Sequence, residues 1–125
     1  MEEGKNQGRL SVEFRNRTKR FAASIIRLYV KLPKHLDEVS VCGKQLLRSG
    51  TSVAAHVREA SRARSDAEFV SKLGGALQEA DESQLWLELL REECGIEESL
   101  TGPIEKEADE LIAIITTIVR RTKEK

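Results

Sequence analysis

The sequence predicts an all-α protein, an antiparallel up-down-up-down four-helix bundle, and three observations carry that prediction. Apolar residues recur at steps of three and four in four separate stretches, which is the period of a helix face. Charged residues make up 34% of the chain and aromatic residues only 4%, a balance that favours helices over a β-sandwich. Helix-stopping and helix-starting residues fall between the stretches, and the connections they leave are short enough for antiparallel neighbours.

The first stripe is Phe14, Phe21, Ile25, Leu28 and Leu32. It stops there because Pro33 disfavours α geometry in the residue before it. The second stripe is Val39, Gly43, Leu46, Gly50, Val53, Val57 and Ala60. It keeps its phase through Ser49-Gly50-Thr51-Ser52, residues whose local propensity favours a loop, so one long helix is expected to pass through them. Gly43 and Gly50 each cost about 1 kcal/mol relative to alanine there. The expected return is close approach by a neighbouring helix or a large side chain such as Trp86 or Phe21.

The third stripe is Phe69, Leu73, Ala76, Ala80, Ser83, Leu87 and Leu90, started by the capping box Ser65-x-x-Glu68. The fourth is Ile104, Ala108, Leu111, Ile115 and Ile118. Gly102 and Pro103 suit its cap and first position, which makes residues 95–102 a loop. Ile112, Ile114, Ile115, Thr116, Thr117, Ile118 and Val119 are β-branched and would suit a strand. A lone strand has no partner in this sequence, so a helix is expected. The 125 residues suit one domain. Residues 1–12 are expected to be a flexible N-terminus, 13–122 the bundle and 123–125 a C-terminal tail.

Composition narrows the setting. Cys42 and Cys94 form no CxxC and no Cys/His cluster, which points to free thiols in a reducing compartment. The N-terminus has no apolar segment of a signal peptide, and Leu111 to Val119 is too short to span a bilayer. A cytoplasmic protein with no membrane contact is expected. Net charge is zero but unevenly spread. Residues 1–35 carry nine Lys/Arg against three Asp/Glu, whereas residues 66–110 carry three against fourteen.

The apolar surface exceeds what one bundle needs. In Leu85-Trp86-Leu87-Glu88-Leu89-Leu90 only Glu88 is polar. A helix that is apolar nearly all round must be covered by something. Self-association is therefore expected, with Leu85, Trp86, Leu89 and Ile112 at the contact; Trp86 folding over the end of the bundle is the alternative. A basic first helix meeting an acidic third helix head to tail would suit a closed ring.

No enzymatic chemistry emerges. Gly43-Lys44 resembles part of a phosphate loop, but Glu38 and Gln45 stand where that motif needs glycine and Ser/Thr, and no strand precedes it. Ser52, His56 and Glu59 fall on one helical face, so they cannot converge on a substrate as a triad must. His56-x-x-Glu59 and Glu79-x-x-Glu82 lack the Glu-x-x-His pairs of a dimetal bundle. No catalytic residue, metal ligand, cofactor or small-molecule substrate is assigned.

The basic residues are the remaining candidates. Arg15, Arg17, Lys19, Arg20 and Arg27 lie on the first helix, and Arg58, Arg62 and Arg64 at and beyond the end of the second. Such clusters bind phosphate backbones, although no aromatic stacking platform accompanies them. A solvated or intersubunit face is the competing reading.

Several phrases together carry a resemblance: Leu32-Pro33-Lys34, Gly43-Lys44-Gln45-Leu46-Leu47-Arg48-Ser49-Gly50-Thr51-Ser52-Val53-Ala54-Ala55, Arg58-Glu59-Ala60-x-Arg62-Ala63-x-Ser65, Glu68-Phe69, Lys72-Leu73, Ala76-Leu77-x-Glu79-Ala80-x-Glu82-Ser83 and Trp86-Leu87-Glu88-Leu89-Leu90. From Phe14 to about Ile115 the chain resembles the small bacterial four-helix-bundle proteins encoded in intervening sequences of 23S ribosomal RNA genes. The resemblance implies a bundle that forms ring-shaped homopentamers and has no established enzymatic activity. A more distant bundle, the accessory protein of diversity-generating retroelements, implies a basic ring surface that engages nucleic acid. The 23S intervening-sequence family itself often has asparagine where this chain has His56; if that position faces a shared pore or interface, His56 would let it titrate near neutral pH. The function expected is a non-enzymatic oligomeric scaffold or adaptor that contacts RNA or a ribonucleoprotein through a basic face; the alternative is a purely protein–protein scaffold.

Overall fold

Four helices account for most of residues 8–125, the part of the chain that the computed structural model describes: α1 (Val12–Lys31), α2 (Asp37–Ser61), α3 (Asp66–Glu92) and α4 (Glu98–Lys123). Consecutive helices pack side by side and run antiparallel, with α2 against α3 the broadest contact, and a thinner contact of α1 with α4 closes the bundle. No strand occurs among the described residues. The β-branched run of α4 is helical because Leu111 and Ile115 are fully buried by its neighbours. Tertiary burial overrides local β preference.

The helix ends follow local chemistry. Ser11 caps α1 by accepting the Phe14 N–H at 3.0 Å. Leu32, extended at ψ 143°, ends it as Pro33 requires. Ser65 accepts the Glu68 N–H at 3.0 Å, while the Glu68 carboxylate reaches back to the Arg64 N–H at 2.9 Å. That is a capping box whose return bond lands one residue early. Gly95, at φ 72°, turns the chain after α3 and lets the Ile96 N–H reach the Leu90 carbonyl at 3.0 Å.

Two boundaries differ from the sequence expectation. The fourth helix starts at Glu98, not Pro103, so most of the expected loop 95–102 is helical. The reason is burial: Thr101 is buried and Leu100 packs against the core. Pro103 thus sits inside the helix, on an exposed face, and leaves the Ser99 carbonyl without its helical donor. At the other end, the flexible segment expected over 1–12 is docked where it is described. Leu10 is buried, the Arg9 N–H donates to the Ser61 carbonyl at 2.9 Å, and Arg9 Nε donates to the Ala63 carbonyl at 3.1 Å. Leu10 closes the apolar end of the bundle beside Val57, Phe69 and Ile115. Residues 1–7 lie outside the described residues.

The core runs the length of the bundle, and Phe14 touches both of its halves. Gly50 packs tightly against α1. A Cβ there would collide with Ile25 Cδ1 and lie 3.1 and 3.2 Å from Ile25 Cγ2 and Cγ1. Gly43 meets Leu32 and Tyr29 in the same way. The neighbour that the glycines admit is therefore α1, through Ile25 at Gly50 and through Leu32 and Tyr29 at Gly43, and not Trp86 or Phe21. Ser49 and Ser83 face each other across α2 and α3, with 2.9 Å between their buried hydroxyls.

Candidate nucleic-acid interface

Up-down-up-down connectivity sorts charge along the bundle. The starts of α1 and α3 share one end with the finishes of α2 and α4. The halves that meet there, residues 8–19, 50–78 and 111–125, carry twelve Lys/Arg against five Asp/Glu. The opposite halves, residues 20–49 and 79–110, carry eight against fourteen. A chain with no net charge folds into a basic pole and an acidic pole.

At the basic pole the outer surfaces of α1 and α2 form a groove of about 430 Å³. Arg15 and Lys19 line it from α1, and Ala54, Ala55, Arg58, Glu59 and Arg62 from α2. Four of the eight candidate residues thus come together. None of the four has a carboxylate within ion-pair distance among the described residues. Arg15 Nε is enclosed without a hydrogen-bond partner. Glu59, the carboxylate on the wall, is drawn away by Lys72 of α3 at 3.1 Å.

The other four candidates have different surroundings. Arg17 is bound to α4: it donates to both Glu107 oxygens at 2.7 and 2.9 Å and to Glu110 at 2.7 Å. The Glu107 hydrogen bond, with Glu110 assisting, raises the Arg17 pKa further, so its charge is spent within the fold. Arg20 lies beside Arg17 on the groove between α1 and α4. Arg27 is exposed on the half of α1 that belongs to the acidic pole. Arg64 is exposed in the turn between α2 and α3.

Other charged clusters are held in ion pairs. Arg48 bridges Glu79 at 3.2 Å and Glu82 at 2.8 Å, so the Glu79-x-x-Glu82 pair serves an arginine. Arg91 grips Glu105 with two 3.0 Å hydrogen bonds, which hold the Glu105 carboxyl below the usual carboxylate range. Arg9 likewise lowers Asp66. Among the described residues no group of three or more His, Cys, Asp or Glu is placed to hold a metal. His56 rests against Gly75, with Nδ1 4.0 Å from Glu59. Burial pushes the Cys94 thiol up, with Cys42 beside it, which disfavours the thiolate that nucleophilic chemistry needs. Gly43 and Lys44 sit within α2 rather than in a loop.

The expected contact residues on α3 and α4 divide. Leu85 is exposed, while Trp86, Leu89 and Ile112 are half-buried, and Trp86 and Ile112 pack against the core. Sequence reasoning passed over Ala54 and Ala55 because small residues carry no charge signal. It also passed over Arg120, Arg121 and Lys123, whose place at the basic pole becomes visible only when the helices are stacked.

The comparisons with known proteins bear on the family and the fold. A family model described as 23S rRNA-intervening sequence protein matches residues 11–117. One similar solved structure is a protein of unknown function from the S23 ribosomal protein family of Bacteroides thetaiotaomicron. It is 38% identical, with 84% of this chain and 96% of that one covered and a TM-score of 0.75. No curated protein matches the chain.

Proposed function

The chain belongs to the 23S rRNA-intervening sequence protein family, and from that premise we propose that it is a non-enzymatic, cytoplasmic, oligomeric adaptor whose basic pole contacts RNA or a ribonucleoprotein. One observation carries the reading. Among the described residues, Arg15, Lys19, Arg58 and Arg62 share one groove and lack carboxylate partners, whereas Arg9, Arg17, Arg48 and Arg91 are all bound to carboxylates. Cations held together and left unneutralised lose little on meeting phosphate and release its counterions. Steering by the pole adds to the association rate.

Self-association rests on a separate observation. Val30, Val41, Leu85 and Ile26 are 70%, 59%, 48% and 45% exposed, apolar side chains that a second copy could cover. These residues extend the expected contact from α3 to the outer faces of α1 and α2. No helix of the described residues is long and apolar enough to cross a membrane, so a bilayer-spanning role for these faces is not part of the reading.

Fluorescence anisotropy with a labelled RNA at a series of salt concentrations tests the reading. Affinity should fall steeply with salt, and native mass spectrometry should give an oligomer. RNA affinity that is absent at low salt would leave the purely protein–protein scaffold.

A further inference from the structure

We propose that the groove between α1 and α2 is a seat for an unpaired stretch of RNA, a claim that rests on the RNA-contacting reading above and specifies its ligand. The groove is not a uniformly charged surface. Cations line it from both helices, Arg15 and Lys19 from α1 and Arg58 and Arg62 from α2, and the α2 side also carries the methyl groups of Ala54 and Ala55 and the Glu59 carboxylate, which is paired with Lys72. Residues four apart on a helix are separated by about 6 Å of rise, so each wall presents two cations in series along the groove.

Such a site asks two things of its ligand: a line of negative charges and a flat apolar face. A duplex offers the charges but keeps its base faces in the stack. An unpaired strand offers both, since a splayed base can lie on an apolar floor or against a guanidinium plane. Arginines supply the planar partners here, because the groove has no aromatic residue in its lining. The space, about 430 Å³, is the size of a small-ligand pocket and suits a nucleotide or two rather than a double helix.

The experiment compares a labelled unpaired 12-nucleotide RNA with a 12-base-pair RNA duplex, each titrated with full-length protein in the same low-salt buffer. Three proteins are used: wild type, Arg58→Ala/Arg62→Ala, and Ala55→Leu. All three positions are exposed, and melting curves confirm that the variants remain folded. The wild type should bind the unpaired RNA about tenfold or more tightly than the duplex, the advantage one stacked base supplies. Arg58→Ala/Arg62→Ala should weaken both RNAs and lower the salt slope by about one per cation removed. Ala55→Leu changes no charge and fills the floor, so it should weaken the unpaired RNA selectively and erase the preference. Equal or tighter duplex binding, or a preference untouched by Ala55→Leu, would overturn the groove assignment while leaving RNA contact in place. No binding of either RNA by wild type would overturn both.

Discussion

Replacing Gly50 with alanine sets two opposing magnitudes against each other. Alanine in a helix interior gains about 1 kcal/mol over glycine. Against this, the new Cβ would overlap Ile25 Cδ1 and crowd Cγ2 and Cγ1 at 3.1 and 3.2 Å. The terminal methyl could swing aside, but Ile25 is fully buried and β-branched, with one strongly preferred χ1 in a helix. Overpacking of this kind costs about 1–3 kcal/mol. The balance is a net loss of about 1 kcal/mol, or a fall in Tm of about 4 °C for a domain of this size. Ile25→Val alone should cost about 1 kcal/mol. In the Gly50→Ala background, however, it removes the clashing Cδ1, so the double variant should be more stable than the sum of the singles by about 1–2 kcal/mol. Thermal and urea unfolding followed by circular dichroism give the four free energies. A Gly50→Ala protein stabilised by its full helix propensity, with Ile25→Val strictly additive, would refute the close contact.

Three further outcomes follow from the packing and the ion pairs. Ser49→Ala and Ser83→Ala should each cost about 1 kcal/mol, and the double variant less than their sum, because both break the same buried hydroxyl pair; additive losses would mean the pair does not act as one. Glu105→Gln should lower stability at pH 7, since Arg91 holds the folded carboxyl below its ordinary value. That contribution is present above the unfolded glutamate pKa and is lost as pH falls through the lower folded one, so wild type and variant should converge in acid; a gap that stays constant down to pH 3 would contradict the pairing. Pro103→Ala should raise stability by about 1–2 kcal/mol in urea unfolding, as it restores a donor for the Ser99 carbonyl, and a less stable variant would mean that α4 needs its proline.

The parts of the fold that were legible are those set by local chemistry. Pro33 and the Ser65-x-x-Glu68 box act within a few residues of themselves, and both placed helix ends correctly. Gly102-Pro103 uses the same vocabulary but misled, because burial of Leu100 and Thr101 draws the first turn of α4 past it. The stripe through Gly50 was readable as helix; its partner Ile25 was not, since helix pairing depends on rotation about each axis. The candidate site was half legible for a similar reason. Positive residues can be counted along a chain, but whether Arg17 is free or held by Glu107 depends on a side chain ninety residues away. Spared cations such as Arg58 and Arg62 become visible only after the others have found their partners.

The separation of charge into two poles has a colloidal consequence. The sequence pI is about 6.8, so near neutral pH no net repulsion keeps copies apart. Each molecule nonetheless remains an electric dipole, with the centres of its poles separated by half a helix length, roughly 20 Å. In dilute buffer, dipoles of this span attract end to end and the protein should be sparingly soluble. At about 0.1 M salt the screening length shrinks to about 10 Å, below the pole separation, and that attraction fades. Salt therefore has two opposite effects on this chain: it brings the free protein into solution, and it loosens whatever hold the basic pole has on phosphate.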